Sequence, residues 1–243
     1  MRLLTFSRRT AKEILRDPLT LAFGLGFPAV LILILSAIQA NIPVELFEIH
    51  RLVPGMTIFG LSFMTLFSAS LIAKDRESAF LLRLYATPMR AWDFILGYTL
   101  PLLPMAMMQG ACCYGIGLLL GMKPSFRILY AILSTLPAAL FFIGLGLFFG
   151  SILSQKQVGG FCGALLTNLT AWLSGIWFDL NLVGGAFQAI AHALPFYHAV
   201  RLSQMVFAGE LTNWFSHALW VLVYAFIAIL LAIRMFLRQM RQG

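Results

Sequence analysis

Charge is scarce in this chain: Asp, Glu, Lys and Arg make up 11% of its residues, against roughly 25% in an average soluble domain. A soluble fold needs a polar face on most of its elements, and this chain has too little polar material to supply one. Cysteine is equally thin. Cys112, Cys113 and Cys162 all lie in apolar runs, and an odd count excludes a complete disulfide framework. The four histidines, His50, His192, His198 and His217, show neither His-x-x-x-His nor Cys-x-x-Cys spacing, so no structural metal is expected. Also missing are a G-x-x-x-x-G-K-[ST] loop, a dinucleotide fingerprint, a G-x-S-x-G elbow and a His-Glu-x-x-His helix. The chain by itself is therefore not expected to hydrolyse ATP or to act as a hydrolase of these kinds.

Hydrophobic residues are abundant, at 60%. About 20 apolar residues cross a bilayer, and six runs of that kind occur, at about 19–40, 52–73, 92–120, 126–153, 158–178 and 214–236. The first is too long for the ~7–15-residue core of a signal peptide and no Ala-x-Ala site closes it, so it is read as a span. Pro101 and Pro104 predict a kink or break in the third. The net charge of +8 does not point to nucleic acid, because the basic residues sit at the ends of the runs. Thirteen of the 17 Lys and Arg fall on one side and only Arg51, Lys123, Arg127 and Arg201 on the other. That asymmetry predicts both termini on the cytoplasmic side of a multi-pass protein.

Two cytoplasmic segments are too polar to span but are patterned. Residues 1–18 form an amphipathic interfacial helix, with Leu3, Leu4, Ala11, Ile14 and Leu15 on one arc and Arg8, Arg9, Lys12 and Arg16 opposite. Asp17-Pro18 marks the turn into the six-span domain of residues 19–243. The segment 74–91 opens with Lys74-Asp75-Arg76-Glu77 and continues into an apolar set too short to cross a membrane, which predicts a short helix beginning near Asp75 and ending before Thr87-Pro88. On the other side, residues 179–213 contain an apolar stretch, Val183 to Leu194, broken by Pro195. Twelve helical residues reach only ~18 Å, so a short re-entrant or surface-lying hairpin is expected there, serving as an external lid.

No ionisable residue sits in the middle of a proposed span, unlike self-powered carriers, which place such groups inside the membrane. Gln109, Thr167, Asn168, Thr170 and Ser174 are polar residues within spans, open to two uses: lining a path or bonding between helices. Gly146-x-x-x-Gly150 and Gly159-x-x-x-Gly163 permit close helix approach, within one subunit or between two.

The segment Arg76-Glu77-Ser78, followed by Arg83-Leu84, Thr87-Pro88 and the stretch Trp92 to Gly97, resembles the cytoplasmic helix and third-span entry of permease subunits of type-2 ATP-binding-cassette (ABC) exporters. Ala79 and Phe80 stand where Gly-Thr is common. Leu173-Ser174-Gly175, an aromatic pair, a short outer hairpin, Pro195-Phe196-Tyr197 and Arg201 are similar to the same family, with Asp179 in place of its usual proline. The resemblance covers nearly the whole layout. It implies an all-α integral membrane fold with six spans, an N-terminal amphipathic helix and a coupling helix on which Arg76, Glu77, Phe80, Leu81, Arg83 and Leu84 meet a cytoplasmic ABC ATPase subunit.

The same resemblance implies a translocation path formed with a second permease subunit, as homodimer or heterodimer, in a bacterial inner membrane. ATP and Mg would be bound by the partner subunits, and this chain would hold no cofactor of its own. The alternative is a self-contained six-span carrier or membrane enzyme, which would need convergent polar or ionisable side chains around a cavity. An assembly or anchoring protein is a third possibility. Drug, lipid, peptide-like antibiotic and polysaccharide all stay open as cargo.

Overall fold

The structure is a computed structural model that describes residues 2–43, 46–78, 80–81, 89–210 and 212–242. The described residues are helical or in turns, with no strand among them. Helix α1 spans Arg2–Arg16 and α2 spans Pro18–Gln39, the latter widened by a π segment at Ala22–Gly26. Asp17 starts α2 by accepting the Leu19 N–H, with Pro18 at the first helical position, where its missing donor costs nothing. Then come α3 (Ile49–Glu77), α4 (Ala91–Leu119) and α5 (Arg127–Ile152), the last interrupted at Thr135. Helix α6 runs over 155–173 with a π segment at Gly159–Leu166. Three short helices follow, α7 (Leu180–Val183), α8 (Gly185–Ala193) and α9 (Pro195–Ala208), before the closing helix α10 (Trp214–Gln242).

Five helices, α2, α3, α4, α5 and α10, are long and apolar enough to cross a membrane. They match five of the six apolar runs. The remaining run forms α6, which is not among the five: its first turn is Gln155-Lys156-Gln157, and Asn168 lies further along it. Pro101 and Pro104 do not break α4, which is helical from Ala91 to Leu119. The charged tetrad Lys74-Asp75-Arg76-Glu77 is the last turn of α3, capped at Ser78, so the helix expected to begin near Asp75 is corrected: the apolar helix preceding it simply continues through the charges. Leu71, Ile72 and Asp75 are buried on its inner face, and that burial carries the helix onward. Phe80 and Leu81 are helical, whereas Arg83, Leu84, Thr87 and Pro88 lie outside the described residues.

The core sits around α3, which is 83% buried over its most apolar stretch, against 22% for α2. It packs most extensively against α5, and also against α4, α9, α2 and α6. The α3–α5 contact is close because Gly146 and Gly150 face α3. A Cβ on Gly150 would stand 2.5 Å from the Ala69 carbonyl oxygen and 2.7 Å from its Cα. The bare glycine stripe lets Thr65 donate from Oγ1 to the Phe142 carbonyl at 2.9 Å, a hydrogen bond between two helices in the apolar core. Phe23 and Phe27 of α2 meet Phe63 of α3 at ring separations of 5.3–6.2 Å, covering the most peripheral span.

Candidate functional site

The last turn of α3 and Phe80 and Leu81 just after it lie at one end of the bundle, where α1 and the last turns of α10 also pack. The centre is Asp75, only 2% exposed. Arg9 of α1 grips it with two parallel bonds, Nη1 to Oδ2 at 2.5 Å and Nη2 to Oδ1 at 2.6 Å, the fork-to-carboxylate geometry that makes such pairs strong. Tyr98 of α4 donates to the same Oδ2 at 2.7 Å. Glu13 completes the set, 3.0 Å from Arg9 Nη2 and accepting from Lys74 Nζ at 2.7 Å. Burial works against the Arg9 charge, but the Asp75 hydrogen bonds and the nearby carboxylates outweigh it and hold the guanidinium above its ordinary pKa.

Helix α1 is therefore a packed element of the bundle. Phe6, Thr10 and Ile14, one residue per turn, are buried, and the Phe6 ring stands edge-on to Tyr98 at 4.9 Å and to Phe94 at 5.9 Å. Arg8, Lys12 and Arg16 are exposed as the amphipathic pattern predicts, but Arg9 is turned inward. Leu4 and Leu15 form a separate exposed apolar line. The Arg9 guanidinium also lies 4.4 Å over the Phe80 ring, which ties the segment after α3 to α1.

Arg76 donates to the carbonyls of Ser151 and Leu153, closing the end of α5 whose last carbonyls have no helical partner. Gln239 of α10 also donates to Ser151. Glu77 accepts the Gln155 backbone N–H at 2.8 Å, at the start of α6. Leu81 is 1% exposed and belongs to this chain's own core, where its side chain anchors the segment. One short stretch thus touches α1, α4, α5 and α6. Beside it lies a cavity of about 970 Å³ between α1, α2 and α3, with Arg8, Lys12, Arg16 and Lys74 on its wall and Ile14, Phe67 and Leu71 as its apolar part.

Residues 1–208 match the family model described as ABC-2 type transporter. The chain belongs to the ABC-2 type transporter family. It is a multi-pass membrane permease subunit of such a transporter, a transport component whose family implies partnership with ABC ATPase subunits. No curated protein matches the chain.

The polar residues singled out within the spans of this ABC-2 chain do not meet around a common cavity. Thr167, Thr170 and Ser174 each bond to a carbonyl of α6 itself, as does Asn168, whose side chain is exposed. Gln109 is fully buried, its Nε2 donating to the Thr57 carbonyl across to α3 at 3.2 Å. Among the described residues, no three His, Cys, Asp or Glu side chains are grouped so as to hold a metal.

Asp75, Tyr98, Phe6 and Glu13 are the members of the site that motif reading passes over. The available signal was periodicity: Ser68, Leu71, Ile72 and Asp75 fall at i, i+3, i+4 and i+7, which places the carboxylate on the buried stripe of α3.

Proposed function

We propose that this chain is the membrane subunit of an ATP-driven exporter in a bacterial inner membrane, with its termini and the segment after α3 facing the cytoplasm. A second permease subunit completes the path. Two separate ATPase subunits bind ATP and Mg and dock on the stretch around residues 76–91. The observation that carries this reading is the Arg9–Asp75–Tyr98 clamp, which ties the last turn of α3, from which that stretch leaves, to α1 and α4 at the terminus-bearing end. A push on Phe80 and its neighbours moves α1 through the Arg9 contact and α4 through Tyr98. The Arg76 and Glu77 bonds carry it to α5 and α6. Such a rigid junction suits a two-state switch, because a tied unit shifts together. Glu77 and Phe80 are the described docking residues, joined by Arg83 and Leu84; Leu81 is the anchor beneath them. The outer hairpin of residues 179–213 serves as an external lid.

A self-contained carrier lacks support, since the polar side chains of α6 spend their donors on their own helix. The test is a photoreactive residue placed at exposed Ser78 and, separately, at Ser125 near the opposite end. Irradiation in cells should link position 78 to a Walker-A-bearing ATPase subunit and leave position 125 without that adduct. The reverse pattern would invert the map and sink the reading.

A further inference from the structure

The four basic residues that stand apart from the other thirteen do not scatter over the opposite end of the bundle. Arg51 in the first turn of α3, Lys123 in the turn between α4 and α5, Arg127 at the start of α5 and Arg201 in α9 all line one cavity of about 410 Å³. A cavity of that size is in the range of small-molecule sites. Glu48 and Glu210 share the wall, leaving a formal surplus of two positive charges. Compensation inside the chain is weak. Arg51 is 4.0 Å from Glu48, and Arg127 is held by the Ala208 carbonyl at 2.6 Å, a bond that fixes its position without neutralising it. Lys123 and Arg201 make no salt bridge and no side-chain hydrogen bond among the described residues.

Basic residues at the terminus-bearing end are accounted for by the bias that sets membrane orientation. At this end the same bias works against them, and their gathering from separate segments onto one wall concentrates like charge. We infer that this cavity is a binding site for an anionic group of the phosphate type, either the headgroup of an anionic lipid or a soluble phosphate. Three guanidinium groups offer forked donors for phosphate oxygens, and Lys123 adds a point charge. Positive potential in a concave site also draws anions to it. The inference rests on the charge arrangement and on the orientation proposed above, and needs neither the ATPase partner nor the export role.

The experiment uses the full chain in nanodiscs, which leave both faces accessible. Thermal stability and bound lipid by native mass spectrometry are measured for wild type, for K123Q/R201Q, for the charge-keeping K123R/R201K and for R8Q/K12Q at the other end. One set of discs contains phosphatidylcholine only, a second adds phosphatidylglycerol, and a third is phosphatidylcholine with inorganic phosphate in the buffer. A lipid headgroup as ligand predicts stabilisation and retained phosphatidylglycerol in the second set. A soluble phosphate predicts stabilisation in the third. In either case K123Q/R201Q should lose affinity about tenfold or more, since charge-assisted bonds are removed, while K123R/R201K and R8Q/K12Q keep it. Identical responses of K123Q/R201Q and wild type in the second and third sets would overturn the site.

Discussion

Removing the carboxylate of Asp75 takes away the acceptor that the Tyr98 hydroxyl meets at 2.7 Å and half-releases the Arg9 guanidinium in one step. Because Arg9 stays 37% exposed it can turn to water, so the cost falls below that of a fully buried pair. D75A is expected to destabilise the purified chain by about 1–3 kcal/mol, and R9A by at least as much, because it leaves the buried Asp75 carboxylate without its cation. The double variant should cost less than the sum, because the two act as one unit; denaturation of all three in detergent measures this, and simple additivity would mean that the clamp is not coupled. His198 offers a second residue-scale test. Its Nε2 donates to the His192 carbonyl at 2.9 Å, so its Nδ1 accepts from His217 Nδ1 at 2.8 Å, and protonation sets two donors against each other. Burial lowers the His198 pKa below its ordinary 6.5, the His192 carbonyl opposes this, and the charge of His192 lowers it further. The folded state then binds fewer protons than the unfolded one as pH falls below about 6.5, and stability drops there. Melting curves from pH 7 to 5 should show that slope, flattened in H198Q.

At the scale of elements, the contact between α3 and α5 depends on bare backbone, and it can be tested with one methyl group. G150A drives a Cβ into Ala69 and is expected to cost about 1–3 kcal/mol through forced separation of the helices. G159A, at a position with open space around it, should be neutral or mildly stabilising. Thermal unfolding of the two variants separates them, and equal effects would show that the close approach carries no energy. Five apolar runs were legible as helices because length and hydropathy alone set them, and Pro195 was legible as a break because it opens α9. The continuation of α3 through Lys74–Glu77 was not, because four adjacent charges read as the start of a new cytoplasmic helix unless the burial of Asp75 is known. The inward turn of Arg9 was hidden for the same reason: on a helical wheel it belongs to the basic arc, and only its tertiary partner tells it from Arg8. Gly146 and Gly150 marked a close contact in the sequence, but which helix they meet is a property of the assembled bundle.

For the whole molecule, family membership implies partnership with ABC ATPase subunits, and the proposed function divides the labour accordingly, with the path in this chain and the energy source in the partner. The basic asymmetry, the terminus-bearing clamp and the far-end cavity divide the bundle into two chemically distinct ends. Docking of the ATPase at the first of these is the central claim. It is tested most directly by measuring ATP hydrolysis by the chain purified alone, and by the complex it forms with a Walker-A-bearing subunit, for wild type and for F80A. No turnover is predicted from the chain alone, nucleotide-specific turnover from the complex, and weakened recovery of the ATPase subunit with F80A while the permease itself stays folded. Robust ATP hydrolysis by the chain alone, or a wild-type chain that never retains such a subunit, would contradict the account.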